Sequence, residues 1–163
     1  MEKGQMSYAL VHSDVCGPMT TLAKGGYSYF ITFTDDLSRY RYMYLMKHKF
    51  ETFDKFKEYK KMVKNQTEKS IKVLRSDRGG KYLSNKFFDH LKGYEILSEW
   101  TPPYMPQLND VTKKRNYTLL DMVWSMMCFM DLFISFWGYA LETTAYVLNK
   151  IPFKSVTSTP YEL

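Results

Sequence analysis

Tyr27-Ser28-Tyr29-Phe30-Ile31-Thr32-Phe33-Thr34, followed by Asp35-Asp36-Leu37-Ser38 and then by Tyr40-Arg41-Tyr42-Met43-Tyr44-Leu45, carries a two-residue period through both of its apolar runs. Tyr27, Tyr29, Ile31 and Phe33 share one face and Ser28, Phe30, Thr32 and Thr34 the other, the alternation expected of a strand. Asp35, Asp36 and Ser38 supply the side-chain oxygens that close turns on their own backbone. The stretch therefore predicts a hairpin with strands over 27–34 and 40–46. Upstream, Tyr8 to Asp14 reads as a buried strand ending on a carboxylate before the break at Gly17-Pro18. Downstream the period lengthens: Phe53, Phe56, Tyr59 and Val63 recur three or four residues apart within 49–67, which predicts an amphipathic helix with its lysines as the solvated face. Strands over 71–76 and 95–100, a short helix over 85–92 and a proline-punctuated loop over 101–109 follow. Two longer helices complete the order. Leu119, Met122, Val123, Met126, Met127 and Met130 mark the first, as core filler rather than a cofactor box. Phe133, Phe136, Trp137, Ala140, Leu141, Thr144, Val147 and Leu148 mark the second. A run of strands, then strands alternating with helices, gives an α/β sandwich around a mixed five-stranded sheet.

Composition agrees with one packed domain. The chain has 163 residues, 45% of them apolar and 17% aromatic, far too much apolar material for a disordered segment. Its 23 Lys and Arg against 17 Asp and Glu leave a net charge of +6, which tilts the expectation slightly toward a polyanionic partner. No apolar run reaches the roughly 20 residues of a membrane span, and the first twenty residues lack a signal-peptide pattern. No membrane is expected, and the protein is read as soluble and intracellular. Cys16 and Cys128 form no CxxC pair and lie near no histidine pair, so they are expected to be half-buried thiols, with no disulfide framework and no zinc.

Two predicted strands end on carboxylates, Asp14 and Asp77, and carboxylates at strand ends are well placed to converge above a sheet on a hard divalent cation. Taken alone, each is better read as a turn residue. Asp35 and Asp36 belong to the hairpin turn. His12 shares the strand face of Asp14 and is expected to be packed and hydrogen-bonded; His48 and His90 carry no signal.

The wider pattern changes the weighting at Asp14 and Asp77. Val11-His12-Ser13-Asp14-Val15-Cys16-Gly17-Pro18, Phe33-Thr34-Asp35-Asp36-Leu37-Ser38-Arg39-Tyr40 and Leu74-Arg75-Ser76-Asp77-Arg78-Gly79-Gly80 resemble the integrase core of copia-type LTR retrotransposon polyproteins. Thr101-Pro102-Pro103, Pro106-Gln107, Asn116, Thr118-Leu119-Leu120, Ser135 to Thr143 and Thr159 to Leu163 resemble the same family in the same order. The resemblance covers the chain after its first eight residues. It divides the chain into an N-terminal extension, 1–8, and a catalytic core, 9–163, and implies a ribonuclease H-like fold.

It also implies a DDE polynucleotidyl transferase that cuts DNA ends and joins them to target DNA. Two aspartates and a glutamate there hold two Mg²⁺ or Mn²⁺ ions, one activating the attacking oxygen and one stabilising the leaving oxygen. In such enzymes thirty-five residues often separate the second aspartate from the glutamate. Counting residues 78 to 112 after Asp77 lands on Lys113. An ammonium has three donors and no acceptor, so Lys113 is not a competent third ligand and repels a cation. It is expected instead to lie between Asp14 and Asp77. Asp110, three residues earlier, is read as a helix cap or dipole partner rather than a substitute ligand.

Other departures from the family pattern fall at Lys81, Glu95, Tyr104, Asp110 and Trp124, which suggests a decayed copy. Acid-to-lysine changes at positions 81 and 113 would account for part of the +6. For DNA contact the resemblance points to the loop with Tyr104, Gln107 and Asn109, and to the basic start of the next helix, Lys113, Lys114 and Arg115. Two readings follow: an integrase core with a broken triad, or a non-catalytic nucleic-acid-binding or dimerisation module derived from one. DNA is the expected partner, a homodimer is compatible with the family, and a nuclear location is implied by the resemblance.

Overall fold

The computed structural model describes residues 10–67, 70–76, 84–100 and 107–151. The predicted hairpin is its organising element. β1 (Leu10–Cys16), β2 (Tyr29–Asp35) and β3 (Arg41–Met46) form an antiparallel meander, and β4 (Val73–Ser76) and β5 (Leu97–Trp100) extend it in parallel from the other side of β1. The sheet order is β3-β2-β1-β4-β5. α1 (Thr52–Thr67) links β3 to β4, and α2 (Asn85–Gly93) lies between β4 and β5. Then come α3 (Gln107–Phe129), a short 3₁₀ turn (Ile134–Phe136) and α4 (Trp137–Leu148).

Both faces of the sheet are covered. Val11, Ile31 and Phe33 pack with Phe56, Tyr59 and Val63 of α1 and with Phe87 and Leu91 of α2. Phe33 stacks on Tyr59 with ring centroids 4.5 Å apart. On the opposite face Phe30 packs with Leu119, Val123 and Met127 of α3 and with Trp137, Ala140 and Leu141 of α4. Trp137 Nε1 donates to the Thr21 carbonyl at 2.7 Å, which satisfies the polar atom of an otherwise buried ring. Gly138 allows α4 this close approach, because a Cβ there would meet Leu45 Cδ1 at 3.1 Å and Ala23 Cβ at 3.2 Å.

Several boundaries differ from expectation. β1 does not end at Asp14: Val15 and Cys16 still pair with Ile31 and Phe30, and the strand stops at Gly17, whose φ of +126° is a backbone state favouring glycine. Tyr27 belongs to a separate bridge with Ala23 around Gly25-Gly26, and β2 starts two residues later. In α3 the core stripe is Leu119, Val123 and Met127. Met122 and Met126 are half-buried and Met130 is exposed, because the 100° step per residue rotates them away from the sheet. Phe133 precedes α4 and is exposed, and Cys128 is exposed rather than half-buried. The N-terminal extension expected over 1–8 lies outside the described residues.

After α2 the chain turns through Glu95 at φ +55°, the left-handed region that favours glycine, at one of the positions that depart from the family pattern. A side chain costs roughly 1–2 kcal/mol there, offset by the roughly 0.4–1 kcal/mol of unfolded-chain entropy that glycine adds. Glu95→Gly is expected to stabilise the fold by about 0.5–1 kcal/mol. Urea unfolding midpoints compared at constant m-value check it; a lower midpoint for the variant contradicts the strain.

Candidate functional site

Alternation along β1 sends Val11 and Val15 toward α1 and α2, and His12, Asp14 and Cys16 toward α3. Four successive residues, Val11 to Asp14, are buried, so three polar side chains of the central strand, His12, Ser13 and Asp14, need partners inside the protein. His12 Nε2 meets Asp36 Oδ1 at 2.7 Å, which ties β1 to the β2–β3 turn. Burial opposes ionisation of Asp36, but the His12 hydrogen bond and the charges of His12, Arg39 and Arg75 outweigh it and hold the carboxyl below its usual range. In the same turn Asp35 Oδ2 accepts from the Ser38 amide at 2.6 Å, the local closure expected of it.

Asp14 is satisfied from α3. Asn116 Nδ2 donates to Asp14 Oδ2 at 2.8 Å, lies 3.7 Å from Cys16 Sγ, and its amide is 3.4 Å from Thr32 Oγ1, which stands opposite Asp14 on β2. One amide thus binds β1 and β2 to α3. The carboxylate, Cys16, Gly17, Lys113, Asn116 and Tyr117 line an open cleft of about 430 Å³. Lys113 and Asn116 are three residues apart, the helical spacing that places both over β1. Among the described residues no ion pair joins Lys113 to Asp14. Lys113 is exposed at the cleft rim, and Asn116 makes the hydrogen bond to Asp14; the expected place of the ammonium between Asp14 and Asp77 involves a residue outside the described ones.

The basic segment also differs from expectation. α3 already runs from Gln107, so Lys113, Lys114 and Arg115 are not its first turn and their amides sit within the helix rather than facing an anion. Asp110 is likewise inside the helix, at its fourth residue. Successive residues fan out by 100°: Lys113 edges the cleft, Lys114 is exposed, and Arg115 is half-buried. Burial, and then the Arg39 charge, push the Arg115 pKa down against the opposing pull of Asp36. Arg41 is almost fully buried at the start of β3. Burial first, and then Arg115, push its pKa down to about 10, and one of its terminal guanidinium nitrogens has no hydrogen-bond partner.

Asp77 and Tyr104 lie outside the described residues, as do the side chains of Gln107, Asn109 and Asp110. His12 and Arg75 stand opposite each other where β1 and β4 run parallel. Asn116 is the residue whose part sequence reasoning missed; its signal was the three-residue step from position 113.

As a cation site the described residues fit poorly. They supply one carboxylate with an oxygen engaged by an amide, and an ammonium at the rim where hard-cation chemistry calls for an anionic oxygen. No three His, Cys, Asp or Glu side chains cluster among the described residues.

A mixed five-stranded sheet in the order β3-β2-β1-β4-β5, covered by helices on both faces, defines the class of fold as ribonuclease H-like. The chain belongs to the integrase core domain family, which matches residues 4–106. It is 41% identical over 143 residues to the retrovirus-related Pol polyprotein from transposon TNT 1-94 of Nicotiana tabacum, covering 88% of this chain and 11% of that protein. It is 27% identical over 142 residues to the Pol polyprotein from transposon RE2 of Arabidopsis thaliana, covering 87% and 10%. The chain thus spans about a tenth of the length of these copia-type relatives. Among solved structures, the simian T-cell lymphotropic virus intasome in complex with PP2A regulatory subunit B56 gamma matches with a TM-score of 0.77 and 14% identity, over 100% of this chain and 56% of that one. The HTLV-2 integrase catalytic core domain in complex with magnesium, in its trimeric form, matches with a TM-score of 0.70 and 12% identity, over 95% of each chain.

Asn116→Asp tests the interior contact. Two facing carboxylates raise one folded-state pKa above its unfolded value, so the folded variant binds more protons than the unfolded chain and loses stability as pH rises. The expected cost is about 2 kcal/mol at pH 7 and clearly less near pH 4. Denaturant melts at both pH values read this directly, and an equal cost at each would remove Asp14 as the partner.

Proposed function

We propose that this chain is the DNA-handling core of a retrotransposon Pol polyprotein in which metal-dependent strand transfer is lost at position 113. One observation carries the reading: Lys113 shares the cleft of the buried Asp14, whose inner carboxylate oxygen is already bound by Asn116. In-line phosphoryl transfer by this class needs cations to offset charge on the attacking and leaving oxygens, and carboxylates to hold those cations. A lysine in place of the third carboxylate removes a ligand and adds a repelling charge. What the described residues retain is suited to binding: exposed Lys114 and rim Lys113 beside an open cleft offer phosphate contacts without chemistry. Target DNA as substrate also supports a nuclear location.

The metal reading is checked by titrating Mg²⁺ and Mn²⁺ calorimetrically into the unaltered chain and into Lys113→Glu. Heat of binding is expected only in the variant, with DNA joining at background in the unaltered chain. Joining in Mg²⁺ by the unaltered chain, abolished by Asp14→Asn, would show a live site and defeat the inactive reading.

A second copy of the chain is supported by a separate observation. Phe129, Met130, Phe133 and Ile134 are 92%, 60%, 79% and 57% exposed at the α3–α4 junction, an apolar cluster of the kind that marks protein interfaces. The related HTLV-2 core is described in dimeric and trimeric forms. Phe129→Asp with Phe133→Asp is expected to shift sedimentation equilibrium to monomer while circular dichroism is unchanged. An unaltered chain that is already monomeric at 100 times the concentrations typical of micromolar association, on the order of 0.1 mM, contradicts the dimer.

A further inference from the structure

α1 carries Lys57, Lys60, Lys61 and Lys64, a spacing that gathers four cations on one helix face. They do not simply face solvent. His90 and Tyr94, at the end of α2, come against them, and with Ile71 the two helices enclose a cleft of about 350 Å³. The cleft lies on the α1–α2 side of the sheet, whereas Asp14 faces α3. It opens where Ser70-Ile71 leads into β4 and Ile96 into β5.

Inside it, Lys60 Nζ is 2.7 Å from His90 Nε2 and 3.0 Å from the centroid of the Tyr94 ring. An ammonium only donates, so His90 accepts through Nε2 and is neutral in this arrangement. Burial, then Lys60 and Lys57, push the His90 pKa down; burial, then Lys64, do the same to Lys60. Counter-charge is scarce. Asp54 pairs with Lys57 and Glu58 with Lys55, and among the described residues no carboxylate pairs with Lys60, Lys61 or Lys64. Like charges crowded on one helix face destabilise it, and an incoming anion removes that repulsion.

The stripe from Lys57 to Lys64 covers eight residues, whose seven steps of roughly 1.5 Å make about 10 Å of helix. A duplex carries one charge per roughly 1.7 Å of its axis, so several phosphates meet the stripe at once. A single small anion reaches only part of it.

We propose that the α1–α2 lysine cleft is a second nucleic-acid backbone site, on the opposite face of the sheet from the Asp14 cleft and independent of it. It extends the DNA-core reading and is separable from it by experiment. A phosphate beside Lys60 favours the protonated form of His90, so binding takes up a proton. The charged and titratable groups facing His90 are Lys57 and Lys60 from α1 and Tyr94 from its own element; Phe53 and Phe56 contribute uncharged rings.

The test is fluorescence anisotropy of a labelled mixed-sequence DNA duplex with the full chain, across salt and between pH 7.5 and 5.5. The combined variant Lys57→Ala, Lys61→Ala, Lys64→Ala changes exposed side chains only and is expected to retain the fold. It should weaken binding at least tenfold at low salt and reduce the slope of log affinity against log salt by about 2 to 3, near 0.9 per lost phosphate contact. Affinity of the unaltered chain should rise as pH falls, and His90→Gln, which keeps an acceptor for Lys60, should flatten that rise.

Lys114→Glu reports on the Asp14 side. Loss of binding in Lys114→Glu with none in the triple variant overturns the lysine cleft and leaves the earlier reading standing; the reverse result does the opposite. Polyglutamate competing as well as duplex at equal charge overturns it too, by assigning the surface to an acidic protein. No binding by the unaltered chain in 50 mM salt overturns both.

Discussion

The hydrogen bond from Asn116 to Asp14 ties α3 to the central strand of the sheet. β1 is paired on both edges and covered on both faces, so a carboxylate in its buried stretch has to be satisfied from a neighbouring layer. α3 supplies the donor from one amide, which also reaches Thr32 and approaches Cys16. That contact fixes the rotation of α3 about its axis. Leu119, Val123 and Met127 then fall onto Phe30, and Lys113 falls at the cleft rim. The same fixed rotation turns Arg115 inward toward Arg39 and Arg41, leaving Lys114 in solvent.

Polar residues at the sheet centre divide into a structural set and a chemical one. His12, Asp36 and Asp35 hold the β1 and β2–β3 corner together, and each has a partner that explains it. Asp14 has a structural partner as well, yet it borders an open cleft, which no packing requirement explains. The residue is 7% exposed, so the cleft reaches only the edge of an anchored carboxylate.

The strands were legible because alternation survives burial on both faces: Ile31 and Phe33 serve one core, Phe30 and Thr32 the other. The end of β1 was not, because an aspartate reads as a terminator until its partner is known, and Asn116 is 102 residues away. The start of α3 was hidden by its largely polar opening, Gln107-Leu108-Asn109-Asp110, which follows a proline-punctuated stretch of sequence. Lys113 could be found by counting from Asp77, and its helical step to Asn116 is in the sequence, but the contact of Asn116 with Asp14 is not. The α1 lysines show the same division. Helical spacing gives their shared face, while the arrival of His90 from α2 is a tertiary fact with no local signal.

The order of pairing along the sheet bears on how such a chain survives substitution. β1, β2 and β3 pair with their sequence neighbours, so residues 10–46 close by short loops, whereas β4 and β5 enter by parallel pairing only after helical crossovers. The departures at Lys81, Glu95, Tyr104, Asp110, Lys113 and Trp124 all fall beyond that meander. Those positions leave the antiparallel meander that organises the sheet untouched, so on the proposed reading the frame of the fold outlasts a change at position 113.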